Sequence, residues 1–158
     1  MQIQPLSVGK YFLKIVIVCL LLLSVLIVYK PVIKLSHAEA FKEALPFSAI
    51  LPKDALEVIK ANKENPNFTL IDIRTPEEYL SGHIEGAVNI NYHDEEFVEN
   101  LDKLDKNKTY LIYCRTGRRT ADTFNVMKKL KFKKVYRIQG EIVRWKAEGQ
   151  SWYNKFRQ

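Results

Sequence analysis

The chain has 158 residues, 47% of them hydrophobic and 27% charged, and its formal net charge is +7. This length allows one domain of ordinary size plus an N-terminal segment, and the composition excludes the disordered and collagen-like classes. From Arg115 onward there are 13 basic residues and three acidic ones, so this part of the chain should attract small anions.

An apolar run from Tyr11 to Tyr29 is interrupted only by Lys14, which near one end can extend toward lipid headgroups. A helix of this length spans the hydrocarbon layer of a bilayer. We therefore predict an N-terminal tail over 1–10, a transmembrane helix over 11–30 and a tether over 31–46.

A cleaved signal peptide is the alternative to a permanent anchor, because Ser36-His37-Ala38 and Ala38-Glu39-Ala40 resemble cleavage sites. Both lie well beyond the apolar run, which favours an uncleaved, single-pass anchor. Because the N-terminal apolar run resembles a secretory signal, we expect the domain to lie on the extracytoplasmic side of the membrane. Two alternatives for the localisation stay open: a secreted or periplasmic protein after signal cleavage, and an anchored protein whose domain faces the cytoplasm.

The rest of the chain, taken as a domain over 47–155, contains five short apolar runs of the kind that form strands. Segments with helical signals follow the first four, so strands and helices alternate, and the runs are apolar throughout rather than alternately polar. This pattern predicts an α/β domain with a mainly parallel five-stranded sheet and helices on both faces. The predicted strands are Phe47 to Leu51, Phe68 to Ile73, Ala87 to Ile90, Thr109 to Tyr113 and Lys134 to Ile138.

The predicted helices lie over 52–62, 75–80, 94–104 and 120–130. The second has a clear start. Thr75 can cap it, Pro76 suits the first helical position, and Glu78 completes a capping box.

Ligands of parallel sheets bind beyond the carboxyl ends of the strands, which draws attention to Cys114 at the end of the fourth predicted strand. A short loop with Gly117 and a helix follow it. Backbone N–H groups and the positive end of the helix dipole would favour a thiolate there. The other cysteine, Cys19, lies in the apolar run, so we expect Cys114 to be a free thiol.

Three arginines lie within five residues of this cysteine and offer forked donors for an anionic ligand: Arg115, Arg118 and Arg119. A free cysteine is often only a small buried residue, and arginines are often solvated surface. Their combination at one strand end favours a functional site. His37 and His93 have no partners at metal-ligand spacing, so we predict no metal.

The loop Cys114-Arg115-Thr116-Gly117-Arg118-Arg119-Thr120 resembles the active-site loop of the rhodanese family, which commonly runs C-R-x-G-x-R-[ST]. Upstream, Asp72 and Arg74 resemble the D-x-R segment of that family, and Gly82 to Ala87 its G-H-I-x-G-A motif. One departure is that Gly140 lies between Gln139 and Glu141 where the family often has two glycines, which puts substrate access in doubt.

The resemblance implies that Cys114 carries a persulfide and that Arg115, Thr116, Gly117, Arg118, Arg119 and Thr120 bind the sulfur donor. Asp72 and Arg74 would support the site, although a purely structural pair is an equal alternative. The resulting prediction is a sulfurtransferase without cofactor that moves a sulfane sulfur from a small anionic donor such as thiosulfate to a thiol or protein acceptor.

Two rival functions are considered. A membrane-tethered redox or persulfide-sensing module would bind a partner and turn over little substrate. A phosphatase would need five residues between its cysteine and its arginine, and here Thr120 occupies the arginine position. The lysine-rich stretch 128–134 is interpreted as a solvated helix end, and no nucleic acid is expected as a partner.

Overall fold

The structure is a computed structural model that describes residues 16–19 and 45–153. Residues 16–19 are helical and exposed. Within these two ranges no helix is both long enough and apolar enough to cross a bilayer. The tail over 1–10, most of the span over 11–30 and nearly all of the tether lie outside the described residues, so these assignments stay predictions.

Strands and helices alternate strictly through residues 45–153. Each of the five predicted strands is present, and a helix follows each of them. The strands are β1 (Ser48–Ile50), β2 (Phe68–Asp72), β3 (Val88–Asn89), β4 (Thr109–Tyr113) and β5 (Lys134–Ile138), and the helices are α1 (Pro52–Ala61), α2 (Pro76–Leu80), α3 (Phe97–Asp102), α4 (Arg118–Lys129) and α5 (Glu141–Ala147).

All five strands pair in parallel, in the order β1-β5-β4-β2-β3. The central strand is β4, and its last four residues, Tyr110 to Tyr113, are all buried. Because successive side chains of a strand point to opposite faces, both faces of the sheet are covered here. The predicted mainly parallel α/β sheet is confirmed.

Several element ends differ from the prediction for local reasons. The helix α3 begins at Phe97 rather than at residue 94, because the Asp94 side chain and carbonyl accept the N–H groups of Glu96 and Phe97 in a turn. The helix α4 begins at Arg118, two residues earlier than predicted, directly after Gly117, whose φ of 105° suits glycine. The capping box at Thr75 and Glu78 is confirmed.

A buried ion pair fixes the carboxyl edge of the sheet where β2 ends. Asp72 is fully buried, and its carboxylate accepts from Arg74 Nη2 at 2.6 Å and from Nε at 3.0 Å. The same guanidinium donates to the Gly82 carbonyl at 2.7 Å. Burial lowers the pKa of Arg74, but the hydrogen bond and the charge of Asp72 outweigh it and leave the pKa raised.

This pair also connects β2 to β4. The Arg74 guanidinium lies 5.8 Å from the centre of the Tyr113 ring, and the Tyr113 hydroxyl accepts the N–H of Ile84 at 3.0 Å. Tyr113 is the residue immediately before Cys114. The ion pair therefore braces the strand end on which the cysteine depends.

Replacing Arg74 by Met should lower the free energy of unfolding by about 3–5 kcal/mol, because Asp72 would be left as a buried carboxylate without its partner. Urea unfolding of the full chain in mild detergent measures this. The matched control is Arg144→Met, which breaks the more exposed Arg144–Glu148 pair and should cost at most about 1 kcal/mol. Equal losses in the two variants would show that the Asp72–Arg74 pair does not brace the sheet.

Candidate active site

The sulfur of Cys114 lies at the carboxyl end of the central strand, and the residue is only 1% exposed. The chain turns directly after it through Arg115, Thr116 and Gly117 into α4. The backbone N–H of Gly117 donates to the cysteine Sγ at 3.1 Å. The turn thus directs one backbone N–H toward the sulfur, and α4 begins directly after it, so that the positive end of this helix lies close to the cysteine.

The predicted donor-binding residues differ in exposure. Arg115, Thr116 and Arg118 are exposed, whereas Arg119 is half-buried and Thr120 is fully buried. An anion arriving from solvent would meet the exposed arginines first. The two less exposed residues lie deeper, in the first turn of α4.

Arg119 is held by Glu78, which lies 41 positions earlier in the chain. The guanidinium donates from Nη1 to Oε2 at 2.8 Å and from Nη2 to Oε1 at 3.2 Å. The hydrogen bond to Glu78 is the main cause that raises the pKa of Arg119, and its interaction with Cys114 acts in the same direction. This ion pair connects α2 to α4 and holds one guanidinium near the sulfur.

The capping residue Glu78 serves two helices at once. Its side chain accepts the N–H of Thr75 in the capping box of α2 as well as the guanidinium of Arg119. Partial burial raises its pKa, but these bonds together lower it below the ordinary value. The cap is predictable from four consecutive residues, whereas the ion pair joins residues 41 positions apart and has no local sequence signal.

Thr120 and Glu141 complete the surroundings of the cysteine. The Thr120 hydroxyl lies 3.9 Å from the cysteine Sγ, 2.9 Å from the carbonyl oxygen of Gly117 and 2.7 Å from Oε1 of Glu141. The other carboxylate oxygen, Oε2, accepts the backbone N–H of Cys114 at 2.8 Å. Glu141 is 1% exposed, so a buried carboxyl group contacts both the backbone of the cysteine and its hydroxyl neighbour.

Glu141 is not among the site residues predicted from the sequence. Its one sequence signal is that it lies where the family often has a second glycine, and it adopts φ of 60°, in the left-handed region that favours glycine. Gly140 before it also has a positive φ of 75°. A charged residue is rarely buried, so the pattern alone did not indicate that Glu141 turns inward.

His83 of the G-H-I segment has contacts to Tyr79 and Tyr153, and none to Cys114 is found among the described residues. Its ring stacks on Tyr79 with centroids 3.8 Å apart, and its Nδ1 lies 3.0 Å from the Tyr79 carbonyl oxygen. Its backbone pairs with Tyr153 in an isolated bridge. These contacts are those of a residue that holds a turn in place.

The arrangement is suited to nucleophilic chemistry at sulfur. A buried sulfur receives a backbone N–H, lies at a helix N-terminus and has a guanidinium nearby, all of which stabilise a negative charge on it. The exposed arginines offer a route for an anionic partner molecule. The Asp72–Arg74 pair contributes through the strand end and makes no contact with the sulfur among the described hydrogen bonds.

Comparison with known proteins gives a consistent result. Residues 55–148 match the model of the rhodanese-like domain. MoeZ of Mycobacterium tuberculosis (strain ATCC 25618 / H37Rv), named as an adenylyltransferase/sulfurtransferase, is 32% identical over 113 residues, which are 72% of this chain and 28% of that protein. This chain therefore covers little more than a quarter of that relative's length.

A smaller relative and a solved structure match over most of their own length. YtwF of Bacillus subtilis (strain 168), named as a sulfurtransferase, is 35% identical over 92 residues, which are 58% of this chain and 84% of that protein. The crystal structure of a rhodanese-related protein from Thermoplasma volcanium superimposes with a TM-score of 0.58 at 28% identity, covering 68% of this chain and 98% of the other. The fold, the loop after β4 and these matches together place the chain in the rhodanese-like domain family.

Proposed function

We propose that this protein is a sulfurtransferase that carries a sulfane sulfur as a persulfide on Cys114. One observation carries the proposal. The sulfur of Cys114 is buried at the end of β4 and receives the Gly117 N–H at 3.1 Å, in a loop that leads into the N-terminus of α4. Such an environment supports a negatively charged sulfur both before and after it accepts a second sulfur atom.

The proposed donor is a small anion of the thiosulfate type. The Cys114 thiolate attacks the outer sulfur of the donor, a new sulfur–sulfur bond forms, and the sulfur–sulfur bond of thiosulfate breaks. Sulfite leaves with the electron pair, and the persulfide retains one negative charge. An acceptor nucleophile then attacks the outer sulfur of the persulfide and restores the thiolate.

The charge distribution supports an anionic donor. The exposed Arg115 and Arg118 flank the entry to the turn, and Arg119 is held deeper by Glu78. Since a guanidinium presents several N–H groups in a fixed plane, it suits the oxygens of a sulfonate-like group. The acceptor would be a thiol or a sulfur-carrying protein, in keeping with the sulfurtransferase names of the relatives.

The arrangement around Thr120 argues against the phosphatase alternative. A phosphatase of this fold needs an arginine at this position, and Thr120 instead presents its hydroxyl to the Glu141 carboxylate and the Gly117 carbonyl.

Thiocyanate formation from thiosulfate and cyanide tests the proposed activity directly. The full chain and Cys19→Ser should both turn over, while Cys114→Ser should lose activity to the background level, because the nucleophile is gone. Cys19→Ser is the matched control, since it removes the only other thiol of the chain. Turnover that survives in Cys114→Ser would exclude this mechanism. Persulfide loading of the wild type without turnover would favour the persulfide-sensing alternative.

We further propose that residues 11–30 anchor the protein in a membrane by a single span, with the domain on the extracytoplasmic side. The support is the apolar run from Tyr11 to Tyr29 with Lys14 near its end.

Alkaline extraction of membranes from cells that express the full chain tests the anchor. The intact chain should stay in the membrane pellet, and protease added outside intact spheroplasts should degrade the domain. A soluble product that lacks the first 38 to 40 residues would support signal cleavage instead, and protection from the protease would place the domain in the cytoplasm.

A further inference from the structure

Glu141 has an unusual combination of backbone and side-chain features. Its φ of 60° is a conformation that side-chain-bearing residues rarely adopt, and its carboxyl group is almost fully buried. Residues of this kind persist only where the surrounding contacts hold them. Here the contacts are the Cys114 N–H, the Thr120 hydroxyl and, at 3.8 Å, the Arg137 guanidinium.

The proton of the Thr120 hydroxyl links the Glu141 carboxyl to the cysteine sulfur. The Thr120 hydroxyl has one proton and three neighbours that could accept it: the Gly117 carbonyl, the Glu141 carboxylate and the cysteine sulfur. An ionised Glu141 attracts that proton at 2.7 Å, and little remains for the sulfur at 3.9 Å. A protonated Glu141 instead donates to the Thr120 oxygen, and the hydroxyl proton is then shared between the Gly117 carbonyl at 2.9 Å and the sulfur at 3.9 Å. A thiolate competes for that proton because hydrogen bonds to a charged acceptor are stronger than those to a neutral one.

The charge of Glu141 acts in the same sense as this hydrogen-bond switch. A negatively charged carboxylate close to Cys114 disfavours a negative charge on the sulfur, whereas a neutral carboxyl group does not. Among the described residues, the Arg137 guanidinium of β5 lies 3.8 Å from the Glu141 carboxylate, and the backbone N–H of Cys114, the residue with the titratable thiol, donates to it at 2.8 Å. Burial raises the pKa of Glu141, and the bonds from Cys114 and Thr120 and the charge of Arg137 oppose that shift only in part.

We infer that Glu141 is a positioning residue whose protonation releases the Thr120 hydroxyl to the Cys114 sulfur and thereby sets how readily that sulfur carries a negative charge. For the thiolate this inference stands on geometry alone. For the persulfide it rests on the proposed function. The consequence is that proton uptake at a buried carboxyl and charge on the nucleophile are linked.

Glu141→Gln is the informative variant because an amide reproduces the protonated carboxyl. Its oxygen can accept the Cys114 N–H and its NH₂ can donate to the Thr120 oxygen, with no charge. The readout is the rate of Cys114 alkylation by iodoacetamide against pH, in the full chain carrying Cys19→Ser so that one thiol reacts. This readout needs no sulfur donor.

The midpoint of this pH profile should move to lower pH by about one unit or more in Glu141→Gln, because a nearby negative charge is removed and a hydroxyl donor is released. The matched control is Glu99→Gln, an exposed glutamate on α3 whose replacement should leave the profile unchanged. Glu141→Gly is a second variant in case the amide does not fold. Glycine suits φ of 60° and also removes the charge, so it should shift the midpoint in the same direction.

The role of Thr120 is tested by combining variants. Thr120→Val should raise the midpoint more in the Glu141→Gln background than in the wild type, because only there is the hydroxyl free to reach the sulfur. Thr120→Ser keeps the hydroxyl, so it should leave the midpoint unchanged both in the wild type and in the Glu141→Gln background. Additive effects of the two substitutions would overturn the route through Thr120.

Superimposable profiles for the wild type and both folded Glu141 variants would overturn the inference, even if thiosulfate loads Cys114 with sulfur. Conversely, a shifted profile together with no sulfur transfer would contradict the proposed function and leave the control by Glu141 standing.

Discussion

The site depends on keeping a sulfur atom able to bear negative charge while it is almost fully shielded from water. A buried anion is costly unless donors are already arranged around it. At Cys114 these donors come from backbone geometry. The short turn through Gly117 gives one N–H to the sulfur at 3.1 Å and leads straight into the first turn of α4. The sheet, the ion pair at the end of β2 and the capping box of α2 all serve to hold that turn in place.

Two layers of charge act on this sulfur in opposite directions. The outer layer is positive and consists of the exposed Arg115 and Arg118 and the partly buried Arg119, which Glu78 holds in place. The inner layer contains the buried carboxyl of Glu141, which contacts the backbone of Cys114 itself. The arginines therefore attract an anionic donor toward the Cys114 sulfur, while an ionised Glu141 disfavours negative charge on that sulfur. That arrangement would favour a sulfur that becomes fully reactive only when the inner carboxyl is neutral.

Much of the fold could be predicted because its signals are local. The apolar runs of β4 and β5 were predicted at their observed ends, and the capping box at Thr75 needs only four consecutive residues. The position of Cys114 at a strand end followed from the same patterns. Helix starts were less predictable. The helix α4 begins directly after Gly117, which has a positive φ, and α3 begins three residues later than predicted because the Asp94 side chain accepts the Glu96 N–H in a turn.

The parts of the site that escaped prediction depend on contacts between distant segments. Glu78 and Arg119 are 41 positions apart, and Cys114 and Glu141 are 27 apart, so no local pattern pairs them. Glu141 also contradicts the general rule that charged residues stay at the surface. Its burial becomes intelligible only once β4 and α5 are seen to meet at the cysteine, where the Thr120 hydroxyl and the Cys114 N–H supply its hydrogen bonds.

The most direct test of the central claim is the intact mass of the full chain after treatment with thiosulfate and again after cyanide, with the modified peptide located by digestion. The account predicts a gain of one sulfur atom on the peptide containing Cys114 and its removal by cyanide. A sulfur found on Cys19 instead, or no gain on a folded protein, would contradict the claim that the buried sulfur after β4 is the carrier.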